Sequence, residues 1–111
     1  MRGDIDRLLG MIEMCDFLLV HAADAVALAE DPVVQAAAQR WIEVLGEAAT
    51  HVSDEVKNAS PDVPWREIIG IRVILAHGYF HIDRDIVGGV VSQELPRLRA
   101  RLQDLIEKMS T

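Results

Sequence analysis

The chain has 111 residues, half of them hydrophobic and 5% aromatic, with a formal net charge of −7 at pH 7. That length suits a single domain, residues 1–111, around one aliphatic core. The single Cys15 excludes an internal disulfide and a cysteine-based zinc cluster, and the acidic balance argues against a broad nucleic-acid footprint on the surface.

Cysteine usage fits a reducing cytoplasm, and a cytoplasmic protein is expected. The first residues lead into a helix carrying Asp6, Arg7 and Glu13, which is unlike the apolar region of a signal peptide. No stretch approaches the roughly 18 uninterrupted apolar residues of a membrane span, so no membrane association is expected.

The first predicted helix runs from about Asp4 to Glu30. Ile5, Leu8, Ile12, Cys15, Leu19, Ala22, Val26 and Ala29 follow a 3-4-3-4 spacing, which makes one apolar stripe. Asp31-Pro32 restarts the chain, with Asp31 able to cap a second helix and Pro32 suited to its first turn. Val34, Ala37, Trp41, Leu45, Ala48 and Val52 share one face of that helix, where Gly46 and Ala49 would allow close approach. Asn58, Ser60, Pro61 and Pro64 mark a loop.

Pro64 opens a shorter third helix through Trp65, Ile68, Ile69, Ile71 and Leu75, which should stop near Gly78. The fourth begins after Asp83 and runs to about Lys108. Gly88-Gly89 weaken it, and Pro96 must kink or split it. The expectation is an all-α, up-and-down four-helix bundle with no strands.

One segment stands apart from this packing pattern. Arg72, His77 and Tyr79 fall within eight residues at the end of an apolar helical run. Arginine is a fixed cation suited to phosphate, and histidine moves protons near neutral pH. Together they supply what metal-free cleavage of an RNA phosphodiester needs. On an ideal helix Arg72 and His77 point about 140° apart, so convergence requires unwinding at Gly78 or a second copy of the chain.

The chain resembles the HepT-like branch of the HEPN (higher eukaryotes and prokaryotes nucleotide-binding) proteins. Those helical bundles carry Arg, four to six residues, then His. Here the pattern is Arg72, four residues, His77, followed by the branch's Gly78-Tyr79. Leu45-Gly46-Glu47-Ala48-Ala49, Pro64-Trp65-Arg66-Glu67-Ile68-Ile69-Gly70, Tyr79-Phe80-His81-Ile82-Asp83 and Leu95-Pro96 match in order, so the resemblance covers nearly the whole chain.

The resemblance implies a toxin ribonuclease that acts as a homodimer on RNA and needs no metal or cofactor. His77 would handle protons for attack by the 2′-hydroxyl while Arg72 steadies the phosphate, leaving a 2′,3′-cyclic phosphate and a 5′-hydroxyl. The implied partner is a minimal nucleotidyltransferase antitoxin, which in some pairs attaches AMP to the tyrosine matching Tyr79. Added phosphate charge there would repel RNA or block the cleft. Two positions depart from the family pattern: Val73 replaces an Asn, and Gly88-Gly89 stand where many relatives carry Trp.

Each residue also has a plainer reading. Arg72 could form a buried ion pair with Glu47 or Glu67, His77 could bond a helix-end carbonyl, and Tyr79 could be a core ring with a wet hydroxyl. His77 and His81 have helical metal-ligand spacing, but Gly78 interrupts and no third ligand adjoins, so no metal is expected. His21 and His51 read as structural or surface residues, Trp41 and Trp65 as core, and Cys15 as an inert core thiol. Arg97, Arg99 and Arg101 read as a solvated face. The alternatives to a ribonuclease are a non-catalytic HEPN module that binds a nucleotidyltransferase or a nucleotide, and a purely structural dimeric bundle.

Overall fold

The computed structural model describes residues 2–76 and 93–110, which form six helices and no strand. They are α1 (Arg2–His21), α2 (Ala25–Glu30), α3 (Pro32–His51), α4 (Asp54–Ala59), α5 (Trp65–Ala76) and α6 (Leu95–Met109). The fold is all-α, as expected. The longer helices α1, α3, α5 and α6 form the bundle, with α3 packed against α1 and α5, and α6 against α1.

The continuous helix expected over Asp4–Glu30 is two helices. α1 ends at His21, and Asp24 restarts the chain because its Oδ1 accepts from the backbone N–H groups of Val26 (2.9 Å) and Ala27 (3.2 Å). A short carboxylate competes well for such N–H groups, which makes it a natural helix start and a poor mid-helix residue. Asp31 then serves both neighbours. Its backbone N–H closes α2 on Ala27 O, and its carboxylate opens α3 by accepting from Val33 N at 2.9 Å, with Pro32 in the first turn.

Of the stripe expected along the first helix, Leu8, Ile12, Cys15 and Ala22 are buried, joined by Met11 and Leu18, whereas the buried stripe of α3 differs from the expected one by about one position. On α1 the fully buried residues are Leu8, Met11, Cys15 and Leu18, whereas Leu19 is half-buried and Val26, on α2, is 65% exposed. On α3 the core side carries Ala38, Ile42, Leu45, Gly46 and Ala49. Val34, Ala37, Trp41 and Ala48 lie on its half-buried flank. Both helices carry apolar faces wider than one seam. A 3-4 spacing therefore fits two overlapping stripes, and only packing chooses between them.

Polar contacts fix the joints. Asp4, 5% exposed, accepts from both Ser53 N and Ser53 Oγ at 2.8 Å, tying the start of α1 to the cap of α4. The same Ser53 Oγ accepts from Val56 N at 3.3 Å, so one hydroxyl links two helix starts. Buried Ser60 donates from Oγ to Val56 O at 2.6 Å, and its carbonyl accepts from the indole of buried Trp65 at 3.2 Å. Pro96 sits in the first turn of α6, where its missing N–H is harmless. Of the helix expected from Asp83 to about Lys108, the structure describes α6 from Leu95 with the proline in its first turn, and residues 77–92 lie outside the described structure.

Candidate active site

α5 is the helix that carries the Arg72 motif. Its start is set by Pro64, whose carbonyl accepts from Ile68 N at 3.1 Å, and by Trp65, anchored through its indole to Ser60. Trp65 and Ile68 are buried, and α5 packs on α3. Arg72 lies four residues beyond Ile68 and seven beyond Trp65 on a continuous helix. At 3.6 residues per turn it holds a register position within roughly 40° of both. The backbone thus places Arg72 on the line of the helix that α5 turns inward at Trp65 and Ile68.

The side chains from 71 to 76 and the whole of His77, Gly78 and Tyr79 lie outside the described residues, as do His81 and Gly88-Gly89. The structure therefore describes the backbone under Arg72, while the geometry relating Arg72, His77 and Tyr79 lies outside the described residues. Of the two proposed ion-pair partners, Glu47 is exposed and within 3.1 Å of His51 Nε2, and Glu67 is exposed at the edge of a hollow.

That hollow lies beside the first turn of α5. Its walls are apolar, formed by Ile42 and Leu45 of α3, Ile68 of α5, and Leu95 and Leu98 of α6, and its volume is about 210 Å³. Exposed Glu67, Glu94 and Arg101 line it as well, so the mouth carries both signs of charge. Sequence reading gave Glu94 no role, offered Glu67 only as an ion-pair partner for Arg72, and grouped Arg101 with its neighbours as a solvated face. The available signal was the position of Arg101, three residues after the core position Leu98.

The three arginines of α6 in fact divide. Arg99 turns toward α1 and donates from Nε and Nη2 to the two carboxylate oxygens of Asp16. That pairing raises its already high pKa, first through the hydrogen bond and then through the charge of Asp16. Arg97 and Arg101 remain exposed on the other flank. Next to Asp16, burial pushes the Cys15 thiol up to about 12, with the Asp16 charge adding to the rise. A thiol so held stays protonated and inert at neutral pH, as the sequence suggested.

Trp41 is half-buried rather than core. It is flanked by Phe17 and His21 of α1, each ring centroid 5.5 Å from its own. His21 and His51 are both surface residues. Among the described residues no group of three or more His, Cys, Asp or Glu side chains could hold a metal ion, and no helix is long and apolar enough to cross a membrane.

Comparison with known proteins gives this frame a family. The model of the family described as "Ribonuclease HepT-like" matches residues 8–105. The chain is 30% identical over 100 residues to "Putative RNase TTE0752" of Caldanaerobacter subterraneus subsp. tengcongensis, covering 88% of this chain and 89% of that protein. It is 32% identical over 75 residues to "Probable ribonuclease HepT" of Thermococcus cleftensis, covering 68% of each. No solved structure matches the chain significantly. With its family model running from the second turn of α1 to the last turns of α6, the chain belongs to the ribonuclease HepT-like family.

Proposed function

We propose that this protein is the toxin of a toxin–antitoxin pair, a metal-independent endoribonuclease that acts as a homodimer. Arg72 and His77 form its catalytic pair. His77 takes the proton from a ribose 2′-hydroxyl, the 2′ oxygen attacks the adjoining phosphorus, and Arg72 offsets charge on the phosphate. The bond from phosphorus to the 5′ oxygen breaks, and that oxygen takes up a proton to leave as a 5′-hydroxyl beside a 2′,3′-cyclic phosphate. The antitoxin is a minimal nucleotidyltransferase, and Tyr79 is the residue to which it transfers AMP.

The observation that carries this reading is family membership across residues 8–105, a span that includes Arg72, His77 and Tyr79. Arg72 itself lies on the continuous helix α5, whose backbone is described as far as Ala76. Val73 and the net charge of −7 favour one alternative, a non-catalytic HEPN module that binds a nucleotidyltransferase or a nucleotide.

The test is RNA cleavage by the purified, unmodified chain in excess EDTA, beside His77→Ala. Cleavage that survives EDTA and disappears in a folded His77→Ala variant supports the ribonuclease. An unmodified dimer that leaves several RNA classes intact turns the reading to the binding module.

A further inference from the structure

The hollow between α3, α5 and α6 has an unusual pairing of interior and rim. Its walls are aliphatic, while Glu67, Glu94 and Arg101 bring two anions and one cation to the mouth. Its volume of about 210 Å³ lies below the roughly 300–1,000 Å³ of pockets for drug-sized ligands. That is room for about one small ring system. A wholly apolar guest would leave the three charges idle, and a plain polyanion would meet two carboxylates. A nucleotide can use the walls through its base face, a carboxylate of the rim through an edge of N–H donors, and Arg101 through its single phosphate.

We propose that this hollow is a base-binding subsite that holds a guanine of the RNA. Guanine is the base whose Watson–Crick edge offers two parallel donors, N1–H and the 2-amino group, to a single carboxylate. Glu67 accepts both, and Arg101 takes the phosphate of the same nucleotide. Ile68 forms the wall, and Arg72 lies one turn farther along α5, about 6 Å in axial rise.

The overall charge gives the same direction. A net charge of −7 limits the RNA affinity that broad phosphate contact can supply. Base recognition in a pocket is the remaining source of selectivity. As an account of substrate choice, the inference rests on the ribonuclease reading, but binding at the hollow can be measured without it.

The experiment is titration of the full chain with GMP, IMP and AMP, followed by NMR shifts or calorimetry, on wild type, Glu67→Gln and Arg101→Met. Both changes are at exposed positions and should leave the helical signal and melting midpoint intact. The expected result is GMP binding at least about tenfold tighter than AMP, with IMP weaker than GMP because it lacks the 2-amino group. Glu67→Gln should remove most of that preference. Arg101→Met should weaken all three nucleotides and leave free guanosine unaffected.

Equal affinity for GMP and AMP, no saturable binding, or an unchanged preference in Glu67→Gln each overturns the subsite. RNA cleavage without preference for guanine, together with no GMP binding, defeats the subsite and leaves the ribonuclease standing. Selective GMP binding by a chain that cleaves no RNA does the reverse.

Discussion

Asp16 on α1 and Arg99 on α6 stand 83 residues apart in sequence, yet the arginine donates from two nitrogens to both carboxylate oxygens. The pair ties the first long helix to the last at a half-exposed site. A double-mutant cycle with Asp16→Asn and Arg99→Met should show coupling in urea denaturation at low ionic strength. That coupling should shrink in high salt, because exposed pairs are screened. Zero coupling at low salt would show that the pair forms without stabilising the fold.

Asp4 is a different kind of link. It is buried, and it accepts from two donors of one residue, Ser53 N and Oγ. Asp4→Ala strands both and should cost about 2–3 kcal/mol, the typical penalty for unsatisfied buried donors next to a charged acceptor. Ser53→Ala, which loses the cap on α4 but keeps the backbone donor, should cost about 1 kcal/mol. Equal losses in the two variants would mean that the hydroxyl, not the carboxylate, organises this joint.

The two tryptophans should separate in the same assay. Trp65 is buried with its indole bonded to Ser60 O, so Trp65→Ala should cost about 3–5 kcal/mol. Trp41 is only half-buried between Phe17 and His21, and Trp41→Ala should cost about 2 kcal/mol. A larger loss at Trp41 than at Trp65 would contradict the described packing.

Cys15 makes stability depend on alkaline pH in a defined direction. Its folded pKa is raised to about 12 from 9.0, so the unfolded chain releases the thiol proton first. The stabilisation is fully present below about pH 9 and is lost as pH rises toward 12. The slope attributable to this group is about 1.4 kcal/mol per pH unit. Stability profiles of wild type and Cys15→Ala between neutral pH and pH 11 should diverge in slope only above pH 9. Native protein should also react slowly with a thiol reagent at pH 8 and quickly in urea.

Gly10 lies inside α1, and a Cβ built there meets nothing within 4 Å among the described residues. Gly10→Ala should therefore stabilise the chain by about 0.5–1 kcal/mol through backbone entropy alone. A lowered melting midpoint would reveal a close neighbour at that face.

The fold class was legible because helix signals in this chain are strong and local. Asp31-Pro32 and Pro64 mark helix starts where the structure has them, whereas Pro96, expected to kink or split a helix, stands in the first turn of α6. The break at Asp24 was not, because it depends on one carboxylate capturing two amides in a stretch whose apolar spacing continues unbroken. The exact buried stripes were not either. Leu18 and Leu19 are equally apolar, and only the position of α3 decides that the first is buried. At the site, the Arg72, His77 and Tyr79 pattern is visible as residue types within one segment, of which the structure describes the backbone under Arg72. The hollow is not visible in that way, because Ile42, Ile68 and Leu98 come from three helices and each alone looks like ordinary core.

Asp31 ends one helix with its amide and begins the next with its carboxylate, so no spare residue lies between α2 and α3. A helix of six residues has little tendency to persist alone. Here it is welded to the start of a twenty-residue one and seats Leu28 in the core. The two cannot fray independently. Opening of α2 must loosen the first turn of α3, and amide exchange in the short helix should track that of its long neighbour.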